Sequence, residues 1–248
     1  MKKRSLWLLP LAGALALTGC SDSGTDTPAA SGEAQASQPA AEQVPAAEPL
    51  SAAKVKEIVE KLVADESGAQ IIDGAAIAES LPQAKELIKG MNIEPAKCAD
   101  LVAQQSSWDI EGINMAVATV AGEATGESTS YSVASYEDDA KLAEIKKTVE
   151  AKDMQGCDSF SMEMQGMKLN ASAEMLDATS DAEMTTATKT SISMEGTEVP
   201  MGSYSVQGLV GPNAVSISYS GAVEDEQAKI DELVKELNVA VAELEKAQ

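Results

Sequence analysis

Side-chain character alternates with a period of two through the second half of the chain, which restricts that half to a sheet with two distinct faces. Ile113, Met115, Val117 and Thr119 share one side of a strand, and Thr129, Tyr131, Val133 and Ser135 share one side of the next. The polar stretch Gly122 to Glu127 between them reads as a hairpin turn. Phe160, Met162 and Met164 alternate with polar residues in the same way. Further strands are expected through Lys168 to Ala178, Glu183 to Glu195, Ser203 to Val210 and Ala214 to Ser220, the last two joined around Gly211-Pro212-Asn213.

Helical spacing frames these strands. Val55, Ile58, Val59 and Leu62 form one stripe, with Ser51 placed to cap it. Pro82 suggests a helix starting there and covering Gln83 to Lys89, and another is expected after Pro95, from Lys97 to about Gln104. Glu137-Asp138-Asp139 suits the positive end of a helix dipole, followed by Leu142, Ile145 and Val149. A long terminal helix turns Ile230, Leu233, Leu237, Val241 and Leu244 inward. Helices grouped around mostly antiparallel strands predict an α+β, two-layer single domain over residues 50–248. A domain of that size buries roughly 70% of its unfolded surface.

From Ser21 to about Pro49 the residues are small and polar, with almost no large apolar side chain to bury. Residues 20–49 therefore read as a disordered Ala/Pro/Ser-rich tether, which spans on the order of 30 Å as a coil and at most roughly 90 Å when extended. Before it, Met1-Lys2-Lys3-Arg4 precedes an apolar run from Leu6 to Leu17 that is too short to span a bilayer stably. The run closes on Leu17-Thr18-Gly19-Cys20, the pattern of a bacterial lipoprotein signal over residues 1–19. The Cys20 thiol is then the lipidation site, and the acyl chains hold the protein to the extracytoplasmic face of the cell membrane.

Charge agrees with that placement. Loss of the signal takes Lys2, Lys3 and Arg4 and no acid, moving the net charge from −22 to −25. Phosphate backbones and anionic headgroups repel such a chain, so nucleic acid is excluded as a partner and the anchor must supply the membrane attachment.

Chemistry is scarce. The chain has no His, which excludes Ser-His-Asp triads, Cys-His dyads and His-based zinc sites. Ser51-Ala52-Ala53-Lys54 matches the SxxK pattern of penicillin-binding enzymes without their companion motifs, and a helix cap is the better explanation. Glu137-Asp138-Asp139 and Glu224-Asp225-Glu226 lack the spacing of a calcium loop. No catalytic residue, metal ligand or cofactor is assigned, and the chain does not read as an enzyme. Cys98 and Cys157 lie in an exported chain, where a disulfide is expected; two free buried thiols are the alternative.

Methionines crowd between Met154 and Met201. Thioethers select Cu(I), and Met162 to Met167 loosely matches copper motifs, but in a chain with 3% aromatic residues they also serve as core filler. The same lining suits a pocket for an apolar or lipid-like ligand, with Met162, Met164 and Met175 as candidate contacts.

The landmarks Leu50-Ser51-Ala52-Ala53-Lys54-Val55, Glu94-Pro95-Ala96-Lys97-Cys98-Ala99 and Val133-Ala134-Ser135-Tyr136-Glu137-Asp138-Asp139-Ala140, leading to Cys157, occur in an order that resembles a known family. It is the extracellular sensor domain of actinobacterial PknH-type Ser/Thr kinases, with its stand-alone lipoprotein relatives. The resemblance covers most of Ser51 to Gln248 and departs at Met154, where the family commonly places a Trp. It implies an α+β domain with a cleft for an extracellular ligand, here without a kinase. Three functions follow: a surface-displayed sensor or binding module for a small or lipid-like ligand, a carrier of lipid or glycolipid like the mycobacterial LprG-type lipoproteins, and an envelope hydrolase.

Overall fold

The strands beyond residue 110 do pair as the alternation predicts, and two short edge strands complete them. A computed structural model describes residues 47–99, 110–150, 156–164, 166–194 and 197–248. All of them belong to the compact unit that begins at residue 44. The elements are α1 (Ala52–Leu62), β1 (Gln70–Asp73), α2 (Gly74–Lys89), β2 (Asn92–Glu94), β3 (Ile113–Ala121), β4 (Ser128–Tyr136), α3 (Asp139–Glu150), β5 (Ser159–Met164), β6 (Met167–Leu176), β7 (Met184–Met194), β8 (Thr197–Val210), β9 (Asn213–Ser220) and α4 (Glu226–Ala247). The strands form one nine-stranded sheet in the order β1-β3-β4-β9-β8-β7-β6-β5-β2, antiparallel at every junction. The α+β antiparallel fold is the one expected.

One face carries the main core. Reading the register across the sheet gives the row Ile71, Ala118, Tyr131, Ile217, Val206, Ala187 and Leu176, all part of a single apolar cluster. Helix α1 lays Val55, Ile58 and Val59 on this face, and α4 adds Ile230, Leu233, Leu237, Ala240, Val241 and Leu244. Both helices start where local chemistry says they should. The Lys54 amide donates to Ser51 Oγ at 3.4 Å, and the Ala228 amide donates to Asp225 Oδ1 at 3.0 Å. Gly208 makes room for Ala182, since a Cβ there would lie 2.8 Å from the Ala182 Cβ, while Leu237 of α4 would be in ordinary contact at 3.5 Å. On β3 the residues turned to α1 are the small Ala116 and Ala118, while the bulkier Met115 and Val117 point the other way.

Among the described residues, the opposite face is only partly covered. Helix α3 crosses one end of it, packing Leu142, Ile145 and Val149 against Tyr136, Met184, Leu209 and Ala214. At the far edge, Ile93, Cys98 and Cys157 make a small separate core with Met91, Ala99, Phe160 and Met162 against it. The Cys98–Cys157 disulfide is formed, with its Cα atoms 5.6 Å apart.

Two expectations need correction. The helix placed after Pro82 starts at Gly74 and runs through Pro82, because Asp73 caps it: the Ala76 amide donates to Asp73 Oδ1 at 3.1 Å. Proline removes one helical donor yet tolerates the remaining turns. The methionines do not fill the main core either, although Met162 packs with Phe160 against the disulfide cluster, as expected, and Met184 packs beneath α3. Among the described residues no Met is fully buried, and Met167 and Met194 are 45% and 48% exposed. Val, Leu, Ile and Ala, with Tyr131 and Tyr204, fill the space between the sheet and helices α1 and α4. The helix expected from Lys97 to Gln104 begins at residue 96, and its part beyond residue 99 lies outside the described residues.

A candidate ligand-binding face lined with hydroxyls

Beyond the edge of α3, the central strands β4, β9, β8 and β7 line this face mainly with Ser and Thr. Register places Thr119, Ser130, Ser218, Ser205, Thr188 and Met175 in one row across six adjacent strands. The row on the α3 side repeats the chemistry with Ser132, Ser216, Gln207 and Thr186 on the four central strands. On the other side follow Ser128, Ser220, Ser203 and Thr190. Every one of these side chains is half-buried, and none is ionisable. The charged residues of the same strands, such as Lys189 and Glu174, alternate onto the helix-covered side.

The field is partly self-bonded. The Ser218 hydroxyl donates to Ser205 Oγ at 2.9 Å, the Ser205 and Ser216 hydroxyls are 3.2 Å apart, and those of Thr119 and Ser130 are 3.3 Å apart. Thr186 Oγ1 donates to the Val149 carbonyl of α3 at 3.5 Å, which ties the field to its wall. Among the described residues, the hydroxyls of Thr188, Thr190, Ser132, Ser203 and Ser220 have no protein partner. Each is both a donor and an acceptor.

Away from α3 the face turns apolar. Along β7 the outward residues run Met184, Thr186, Thr188, Thr190, Ile192 and Met194, from the helix-covered end to the exposed one. Met194 stands in a row with Leu169, Met162 and Ile93.

The candidate residues separate accordingly. Met162 is half-buried against the disulfide cluster, and Met175 is half-buried at the end of the central hydroxyl row. Both lie on the same side of the sheet as α3, Met175 at the edge of the hydroxyl rows and Met162 under the disulfide cluster. Met164 pairs with Met167 at the β5–β6 turn, and its side chain lies outside the described residues. Cys20 also lies outside them. Two surface cavities, of about 270 and 450 Å³, lie elsewhere: one beside Leu50, Lys54 and Gln248, the other beside Leu81, Lys85 and Ile110.

Other motifs resolve into structure. Ser51 serves as the α1 cap and Lys54 Nζ pairs with Glu57 at 3.1 Å, so the SxxK residues form no Ser-Lys hydroxyl contact. Asp138 Oδ1 accepts from the Ala140 amide at 2.8 Å, at the start of α3. Glu226, at the start of α4, accepts from Lys189 Nζ and from the Tyr204 hydroxyl at 3.1 Å. The lysine, followed by desolvation working in the opposite direction, leaves the Glu226 carboxyl below its ordinary range.

One carboxyl is held the other way. Glu236 on α4 faces Tyr131 of β4, and its Oε2 is buried with no hydrogen-bond partner among the described residues. Burial pushes its pKa up, with Glu232 and Glu66 adding to the rise and Tyr131 and Lys229 opposing it. Tyr131 is raised in turn, mainly by burial. This pair belongs to the helix-covered side, away from the hydroxyl field.

No family model matches the chain, and a search of curated proteins found no match. Among solved structures it is similar to the extracellular domain of PknH from Mycobacterium tuberculosis, at 11% identity and a TM-score of 0.47, over 79% of this chain and 98% of that one. It is similar also to the Rv0999 ortholog from Mycobacterium smegmatis, at 15% identity and a TM-score of 0.45, over 75% of this chain and 95% of that one. The first of these is the domain to which the residue-level resemblance points.

Proposed function

We propose that this chain is a lipid-anchored extracytoplasmic binding module that holds a small or lipid-like ligand noncovalently on its uncovered sheet face. Acylated Cys20 supplies attachment, and the tether carries the domain clear of the headgroups, ending before Glu48, whose carbonyl is held by Asn213. The observation that supports the reading most is the face itself: three registered rows of small uncharged polar side chains, half-buried, backed by a rigid core and walled on one side by α3. A face of this kind offers many hydrogen bonds and no group poised for proton transfer or nucleophilic attack.

The carrier reading draws its support from the apolar corner, where Met167 and Met194 stand exposed beside Leu169 and Met162. An acyl chain would lie along that corner and a polar head along the hydroxyl rows.

Native mass spectrometry of the full chain, released from its own membranes in mild detergent, tests the proposal. A co-purified mass that dissociates without covalent change to the protein is the expected result. An empty protein, together with no thermal shift against lipids, glycans and metals, refutes ligand binding. Anchoring is tested separately by Cys20→Ala, which should move the protein from the membrane to the soluble fraction.

A further inference from the structure

We infer that the ligand class of the hydroxyl field is a neutral polyhydroxylated chain, that is, an uncharged glycan or the glycan part of a larger molecule. The inference rests on reading this face as the ligand site, and it comes from what the field offers and what it lacks. The central row presents Thr119, Ser130, Ser218, Ser205 and Thr188 at the spacing of adjacent strands, and the rows beside it repeat every second residue. Adjacent strands lie about 4.8 Å apart and alternate residues about 6.8 Å apart, so the four central strands and three rows cover about 14 by 14 Å. That footprint takes an extended run of a few sugar rings.

Other ligand classes meet a physical obstacle here. An acyl chain laid on the field would strip water from its hydroxyls and return no hydrogen bond, leaving polar groups unpaired. An anion finds no cationic side chain in the three rows and meets a chain of net charge −22. A cation finds no carboxylate in the rows, although carboxylates abound elsewhere on the molecule. A sugar hydroxyl is both donor and acceptor, as is each Ser and Thr, so water-to-protein exchange keeps every hydrogen bond. Met175 and Val117, at the margins of the field, meet the apolar C–H faces of the rings. The sheet is preorganised by α1 and α4 behind it, so little ordering is required on binding.

The test uses the full acylated chain in nanodiscs of zwitterionic lipid. Uncharged gluco- and manno-oligosaccharides of four to eight units, uronic-acid oligosaccharides of the same length, and a short-chain lysolipid are titrated by calorimetry. Saturable binding of a neutral oligosaccharide is expected, with at least tenfold weaker binding of the uronic series. The triple variant Ser205→Ala/Ser218→Ala/Thr188→Val should weaken the neutral ligand by about tenfold or more at unchanged melting temperature. If that variant misfolds, Thr188→Val alone, which keeps shape and β-branching, should weaken binding by about threefold or more. Saturable lysolipid binding with no oligosaccharide binding overturns the glycan class while the proposed binding function stands. Oligosaccharide binding indifferent to the variants overturns the location. No binding by any probe overturns the glycan class, and an empty native mass spectrum would remove the binding function as well.

Discussion

Replacing both Cys98 and Cys157 by Ala should destabilise the domain measurably, and it should do so most at one corner. The bridge spans 59 residues of sequence, and the chain-entropy relation assigns a loop of that length about 4 kcal/mol of unfolded-state restriction. For a domain of this size, 1 kcal/mol corresponds to about 2–4 °C, so the melting temperature should fall by about 8–16 °C. Location refines the expectation. The disulfide belongs to a small cluster with Ile93, Phe160 and Met162, separate from the core beneath α1 and α4. Strand β2 joins the sheet through only Asn92, Ile93 and Glu94. Calorimetry gives the global shift, and amide hydrogen exchange gives its distribution. Exchange should accelerate strongly in β2 and β5, beyond the general change set by global stability in β4, β8 and β9. A melting temperature lowered by less than about 3 °C, with β2 still protected, would refute the reasoning, since the loop would then be restrained by something other than the bridge.

Glu236→Gln should raise stability at neutral pH by about 1 kcal/mol or less, the scale of one buried unpaired acceptor discounted for partial solvent access. An acid whose folded pKa lies above its ordinary 4.5 binds its proton more tightly when folded, so its penalty is present above the folded pKa and vanishes toward 4.5. Wild-type stability measured against the variant should therefore improve as pH falls through that window, and a constant difference in urea titrations from pH 7 to pH 4.5 would contradict it. Leu237→Ala, at a fully buried α4 position beside Gly208, should cost about 2–5 kcal/mol in denaturant unfolding, and a loss below 1 kcal/mol would mean that α4 is not part of the cooperative core. Ser51→Ala removes the α1 cap and should cost about 1 kcal/mol, read as a shift of about 2–4 °C; no shift would show the cap to be replaced by water.

The elements legible in the sequence are those with both a period and a boundary. Helices α1 and α4 carry apolar stripes and their caps, Ser51 and Asp225, while β4 and β9 alternate cleanly and end at Gly or polar turns. Strands β1 and β2 are too short to show a period and exist because a longer neighbour offers them partners. Pro82 misled because the helix is capped further back, at Asp73, and carries the proline in its interior at the cost of one backbone hydrogen bond. The hydroxyl field could not be read from any one segment. Ser128, Ser130 and Ser132, or Ser216, Ser218 and Ser220, look separately like the solvent side of an ordinary strand. Only the pairing of β4 with β9, β9 with β8 and β8 with β7 brings them into one plane. The available signal was the recurrence of Ser or Thr at every second position in four strands. The methionines carried the opposite lesson, since clustering in sequence spread them across different corners of the fold.

The docking of Leu50 has an engineering consequence. Its amide donates to Ser135 Oγ at 2.6 Å, its carbonyl accepts from Asn114 Nδ2 at 2.9 Å, and Asn213 Nδ2 donates to the Glu48 carbonyl at 3.4 Å. Glu48 and Gln248 line the same cavity, so the start and the finish of the folded domain are neighbours. A short glycine-rich bridge from Gln248 to Glu48 would let new ends be opened in the exposed Gly122 to Glu127 hairpin with every strand pairing retained. A reporter fused at Gln248 would sit beside the point where the tether enters, leaving the hydroxyl rows clear for a ligand.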